Sequence, residues 1–130
     1  MTDLHSLHDA ELFALRHDLS DDTVECVFST TEGRDAVLLM SGVTRFRCTD
    51  FGLQNVVLEL VGTPWQDMHP EKLRSYVSWL SATTDGEQLT MPEEIELIVR
   101  DVLEGRSHCV FLIPSWGCQL GAIAAKVGWK

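Results

Sequence analysis

Residues 43–62, VTRFRCTDFGLQNVVLELVG, carry the pattern from which the fold is read. Phe46 and Cys48 alternate with Arg45, Arg47 and Thr49, the period of two that marks a half-buried strand. Val56, Leu58 and Leu60 alternate with Glu59 on the way back, flanked by Val57 and Val61. Asp50-Phe51-Gly52 lies between. Glycine accepts positive φ and aspartate can bond its own backbone, so this is a turn with a mechanism. The stretch therefore predicts two strands joined by a tight polar turn. Gln54 and Asn55 follow, and their amides are expected to serve backbone groups freed at the turn in preference to a partner. Asp-Phe-Gly is also a protein-kinase landmark. The chain has no Gly-rich loop, no strand lysine paired with a helix glutamate and no His-Arg-Asp loop, so that reading is excluded.

Toward the N-terminus, residues 4–19 fit two patterns. Leu4, Leu7 and Leu15 suit a helix, whereas Phe13, Leu15, His17 and Leu19 alternate as a strand would. Ser20-Asp21-Asp22 is a turn cluster, and Val24, Cys26 and Phe28 alternate after it. A hairpin of residues 10–19 with 23–30 accounts for both halves, so a strand is expected after Asp9. Thr30 to Arg34 forms a second turn cluster. Ala36 to Met40 is a continuous apolar run, and Gly42 marks a bulge where the inward pattern flips. These segments predict a four-stranded meander over residues 10–62.

Gly62-Thr63-Pro64 ends the meander. Pro70, followed by Leu73, Tyr76, Val77 and Leu80 on one stripe, predicts a helix over 70–82, and residues 83–86 a loop. Residues 92–104 fit two states. Pro92 and Gly105 would open and close a helix, Thr90 and Glu93 have capping-box spacing, and all the apolar residues but Leu97 fall on one helical arc. The β-branched content, with Glu104-Gly105-Arg106 as a turn, fits a strand paired with 107–113 equally well. Residues 108–113 read as a strand, Pro114-Ser115-Trp116-Gly117 as a turn, and 118–129 as a returning strand. Ala122, Ala124 and Ala125 on that strand leave room for the 70–82 helix to lie close.

With 130 residues, 45% apolar and 23% charged, the chain is long enough for one well-buried domain, 1–130, of ordinary globular composition. The formal net charge of −10 is uneven. Residues 1–32 hold eight acids against one arginine, and residues 83–104 hold seven against Arg100, while 105–130 hold bases alone. Such a field repels a polyanion, so direct nucleic-acid binding is not expected, and a basic partner is favoured. No basic segment leads into an apolar run at the N-terminus, and no apolar run reaches membrane-spanning length. A cytoplasmic protein is expected on those grounds. Cys26, Cys48, Cys109 and Cys118 form no Cys-x-x-Cys pair and read as thiols of a reducing compartment. No cofactor is expected.

Candidate sites are few. His8, Asp9 and Glu11, with His5 upstream, are the metal-like cluster, though a metal hydrolase needs further ligands from elsewhere in the chain. Ser115 lies in Pro-Ser-Trp-Gly-Cys, which is not the Gly-x-Ser-x-Gly of a nucleophile elbow. A Cys118–His108 pair would lack a third group to orient it. Trp116, at a turn, either packs back on its own sheet or anchors a partner. Glu93, Glu94, Glu96 and Asp101 supply the acidic surface such a partner would meet. Arg45 and Arg47 are expected to pair with the acidic N-terminal segment.

The block Leu7-His8-Asp9-Ala10-Glu11-Leu12 resembles the His-Asp-Ala-Glu start of one family of immunity proteins from polymorphic toxin systems, and of related small bacterial proteins. Asp50-Phe51-Gly52-Leu53-Gln54-Asn55-Val56 and Pro114-Ser115-Trp116-Gly117-Cys118 resemble later landmarks of those relatives. The resemblance implies mostly antiparallel strands, tips residues 92–104 toward strand, and implies toxin neutralisation by tight protein binding, with no catalytic residue carried over. The whole reading is α+β: a mainly antiparallel β-meander sheet with one or two helices packed on it. The expected function is a non-enzymatic protein-binding module, immunity-like if the resemblance carries over. The alternatives are a metal-dependent hydrolase using His8, Asp9 and Glu11, and a structural homodimer.

Overall fold

Alternating segments before Pro64 and apolar segments after Gly105 become the six strands of a computed structural model that describes residues 7–83 and 86–130. In chain order these are β1 (Glu11–Asp18), β2 (Thr23–Ser29), β3 (Asp35–Thr49), β4 (Val56–Gly62), β5 (His108–Trp116) and β6 (Gln119–Trp129). Two helices, α1 (Pro70–Ser81) and α2 (Pro92–Leu103), lie between β4 and β5 in the chain. Every strand pairing is antiparallel, and the sheet closes on itself in the order β1-β2-β3-β6-β5-β4. The α+β class and the antiparallel sheet hold as read. Leu4 and His5 lie outside the described residues, as does the middle of the 83–86 loop.

The first three strands form the expected meander, with Glu11 opposite Ser29 and Ser29 opposite Asp35. The fourth does not join it. β4 pairs with β5 and, at Glu11–Val56, with β1, whereas β3 turns to β6. Residues 50–55 are therefore not a hairpin turn but a connection across the tip of the β5–β6 hairpin. The alternation expected on β3 holds, with Phe46 and Cys48 opposite Ala122 and Leu120, but that on β4 does not: Val57 is fully buried and Leu58 is exposed, because the register slips on either side of Val57. Pairing partners are set by contacts distant in sequence, which alternation does not encode.

Gly42 has φ +62, and the inward side flips there: Leu38 and Met40 point into the barrel, and after the flip so does Val43. Phe46 lies opposite Ala122 but stays over a third exposed, because β3 runs on past the end of β2. β5 continues to Trp116, beyond the turn expected at Pro114. Pro114 sits at an irregularity opposite Val57, where a missing N–H breaks no regular ladder.

Residues 92–104 are the clearest correction: they are helix, not strand. Pro92 opens α2, and Ile95, Val99 and Val102 are buried on one face. The 3.6-residue period outweighs β-branching because burying that one stripe supplies the stabilisation. The Thr90–Glu93 capping box does not form: Met91 is the N-cap without a side-chain bond, and Thr90 Oγ1 donates to the Ser81 carbonyl. α1 matches its expected span, and His69 Nδ1 caps it by accepting from Glu71 N–H at 3.2 Å.

There are two apolar layers. Inside the barrel lie Leu12, Cys26, Phe28, Leu38, Met40, Leu112 and Leu120 with their neighbours. Between the helices and the outer face of β5 and β6 lie Leu73, Val77, Leu80, Ile95, Val99, Val102, Cys109 and Ile123. β5 is thus buried on both faces, which accounts for its unbroken Cys-Val-Phe-Leu-Ile run. Phe111 meets Tyr76 face to face at 4.1 Å and Trp79 edge-on at 5.1 Å. On β6 the small residue that admits the helix is Gly121, not the alanines: a Cβ there would lie 2.9 Å from Leu80 Cδ2 and from the Phe111 ring, whereas Ala122 and Ala124 face the barrel interior.

Replacing Gly121 by Val should therefore cost about 1–3 kcal/mol through overpacking, read by urea denaturation. The alkaline limb of stability has a separate source. Burial pushes the Cys26 and Cys109 thiols from 9.0 up to about 12. Unfolded thiols ionise first, so the stability these groups hold is complete below about pH 9 and is lost as pH rises toward the folded values, about 1.4 kcal/mol per thiol by about pH 10. A Cys26→Ala, Cys109→Ala variant should show a shallower loss of stability between about pH 8 and 10 in the same assay.

Candidate functional site

The β3–β4 connection brings three parts of the chain to one end of the barrel, and Asn55, 3% exposed, joins them. Its Oδ1 accepts from Gly52 N–H at 2.9 Å and from Cys118 N–H at 3.1 Å. Its Nδ2 donates to the carbonyls of Leu12 at 3.1 Å and Gly52 at 3.0 Å. Its own carbonyl accepts from Leu12 N–H at 2.8 Å. Every donor and acceptor of the buried amide is thereby used, as burial demands. The expectation that this residue serves backbone groups holds. Gly117, φ +81, is required at the crossing: a Cβ would lie 2.5 Å from the Gln54 carbonyl and 2.7 Å from Asn55 Oδ1. Gln54 Nε2 reaches Glu11 Oε1 at 3.3 Å.

Around this rigid knot the bulky side chains point outward. Trp116, opposite Val56, is 69% exposed, and Leu53, two residues before Asn55, is fully exposed. Phe51 and Phe13, the latter next to Leu12 at the β1 irregularity, are about half exposed. Trp116 does not fold back on its sheet. Asp50, φ +60, and Glu11 border the apolar residues. Sequence reasoning singled out Trp116 but missed Leu53, Phe51 and Phe13. The available signal was the presence of bulky apolar side chains within turn chemistry.

The α2 acids are mostly engaged within the molecule. Glu94 pairs with Arg45 at 2.9 Å, Glu96 with Arg74, and Asp101 with Arg106 at 2.7 Å; Arg106 also pairs with Glu104. Glu93 is exposed. Arg45 thus serves α2 and not the N-terminal segment. Arg47 lies 4.4 Å over the Trp79 ring and donates to the carbonyls of Trp79 at 2.6 Å and Thr83 at 3.0 Å. It supplies positive charge at the end of α1, whose last turn has no basic residue.

His8 and Asp9 stand 3.7 Å apart, His8 Nδ1 lies 2.9 Å from the Leu58 carbonyl, and Glu11 is held by Gln54. Among the described residues, no group of three His, Cys, Asp or Glu side chains is placed to hold a metal ion. Ser115 Oγ donates to the Val56 carbonyl. His108 and Cys118 flank opposite ends of β5, and His108 Nδ1 lies 3.2 Å from Thr63 Oγ1, which itself accepts from Cys109 N–H. A cleft lined by Thr63, Asp67, Met68, Val102, Leu103 and His108 runs beside α2. The barrel interior holds the side chains of Leu12, Phe28, Leu38, Met40, Leu112 and Leu120. No protein-family model, curated protein or solved structure matches the chain.

Asn55→Ala would strand the Cys118 and Gly52 N–H groups and the Leu12 carbonyl. A loss of about 3 kcal/mol in urea denaturation is expected, several times that of an exposed polar substitution such as Gln54→Ala.

Proposed function

We propose that the protein is a non-catalytic recognition module whose contact face is the Asn55 end of the barrel, and that its partner is a basic protein. The observation that carries this reading is the exposure of Trp116 and Leu53 on a segment fixed by buried hydrogen bonds. Exposed aromatic and aliphatic anchors are costly in water, and on a rigid base they lose little entropy when bound. Asp50 and Glu11 at their border, within a chain of net charge −10, favour a cationic partner. Glu93 extends the acidic field, while Glu94, Glu96 and Asp101 are already balanced by arginines. The resemblance to immunity proteins gives the partner class to try first, a basic nuclease-type toxin. A cytoplasmic setting belongs to the same proposal.

Affinity capture from extracts of the source cells tests it, with wild type beside Trp116→Ala, Leu53→Ser and Glu93→Lys, Glu94→Lys variants of unchanged melting temperature. The reading requires one basic protein, identified by mass spectrometry and confirmed with purified components. Its affinity should fall at least about tenfold in the apolar variant. It should fall more modestly in the charge variant and with added salt. Capture that survives loss of Trp116 and Leu53, or a partner without basic character, refutes the assignment. Self-association seen by light scattering and abolished by the same variants would replace it with a homodimer.

A further inference from the structure

Cys48 and Cys118, 70 residues apart in the chain, place their Sγ atoms 2.9 Å from each other. The register explains why. Cys48 at the end of β3 lies opposite Leu120 of β6, and Cys118 precedes Leu120 by two residues. The two thiols are diagonal neighbours on one face of an antiparallel pair, where side chains converge. The backbone of Cys118 is held on its N-terminal side, by Gly117 at positive φ and by its N–H bond to Asn55 Oδ1. Little movement separates the observed contact from bonding distance.

The two thiols differ in access. Cys48 is partly exposed and Cys118 is fully buried. The hydrogen-bonded contact with Cys118, in which either sulfur can donate, holds Cys48 below its ordinary thiol value. The same contact, with burial, pushes Cys118 upward. A solute oxidant thus meets Cys48 first, as the sulfur that solvent reaches, with Cys118 already in contact behind it. Cys26 and Cys109 are buried thiols held well above the usual range, and Cys109 lies in the helix–sheet layer.

We propose that Cys48 and Cys118 form a reversible dithiol–disulfide site that reacts with small hydroperoxides, Cys48 as the attacking thiol and Cys118 as the resolving one. The Cys48 sulfur attacks one peroxide oxygen, the O–O bond breaks, and the departing hydroxide takes up the thiol proton as water. This leaves Cys48 as a sulfenic acid. The Cys118 sulfur then attacks the Cys48 sulfur, its proton joins the departing hydroxyl, and a second water leaves. Two thiols lose two electrons, hydrogen peroxide gains them, and a dithiol reductant reverses the change by exchange. The site stands independently of whether the barrel end binds a protein.

The test uses native, fully reduced protein exposed to equimolar hydrogen peroxide, alkylated under denaturing conditions, and examined by intact mass and peptide mapping. The oxidised protein should carry two alkyl groups where the reduced control carries four, and should hold one linkage, Cys48 to Cys118. The result should be the same in wild type and in a Cys26→Ser, Cys109→Ser variant, and dithiothreitol should reverse it. In Cys118→Ser the sulfenic acid should persist on Cys48 and be trapped by a dimedone probe. Protein that keeps four free thiols, links other cysteines, or forms the sulfenic acid on a residue other than Cys48 overturns the proposal. The wild-type linkage map decides the matter even where Cys118→Ser fails to fold.

Discussion

One buried amide sets what the rest of this molecule can be. The chain leaves β3 on one flank of the β6–β5 pair and must enter β4 on the other, so six residues have to cross the hairpin tip. Most of the crossing is exposed, but it is buried at Asn55, where it meets β1 and the hairpin tip, and a buried polar group left unpaired there costs on the order of 1–3 kcal/mol. Asn55 answers from one position. Its amide ties the crossing to itself at Gly52, to the hairpin at Cys118 and to β1 at Leu12. That last bond lies beside Glu11–Val56, the register contact that closes the sheet between β1 and β4. Backbone bonds close the sheet there, Asp9 N–H to the Val57 carbonyl, Val57 N–H to the Ala10 carbonyl and Leu12 N–H to the Asn55 carbonyl, and the Asn55 side chain adds the tie from this seam to the crossing and the hairpin.

With the crossing fixed, β5 and β6 become the central wall, and the two apolar layers follow. Leu112, Leu120 and Ala122 fill the barrel, while Cys109, Phe111, Gly121 and Ile123 meet the helices. The helices add little to the interior and depend on this outer face for burial of Leu73, Val77, Leu80 and Val99. Helices of this length are marginal alone, so packing and not propensity holds them. The arginine pairs on α2 are exposed and screened, and contribute orientation more than stability.

What the sequence disclosed follows the range of the interactions involved. The β1–β2 and β2–β3 hairpins, the flip at Gly42 and the start of α1 at Pro70 rest on neighbours within a few residues, and each was legible. The separation of β3 from β4 rests on Asn55 reaching Leu12 and Cys118, 43 and 63 residues away, and local alternation is silent about that. Residues 92–104 stayed open between helix and strand because β-branched content competed with a 3.6-residue stripe, and the family resemblance tipped them the wrong way; the stripe prevailed once it had β5 and α1 to cover. The same limit hid the Cys48–Cys118 contact. Trp116 could be picked out as an unusual residue in a turn, but Leu53 and Phe51 looked like ordinary apolar neighbours of a hairpin until the hairpin proved not to exist.

Leucine, methionine and phenylalanine side chains from facing strands pack against one another inside the closed barrel. The helices occupy the outer face of β5 and β6. The end carrying Asn55 is where rigidity and exposure coincide: the backbone is held by bonds that water does not contest, yet the side chains it bears are apolar and solvated. Mobile loops with exposed leucines would collapse onto themselves to recover the hydrophobic loss. This segment is held open by its polar anchor and cannot, which is the physical reason for reading it as a surface built to be covered by another molecule.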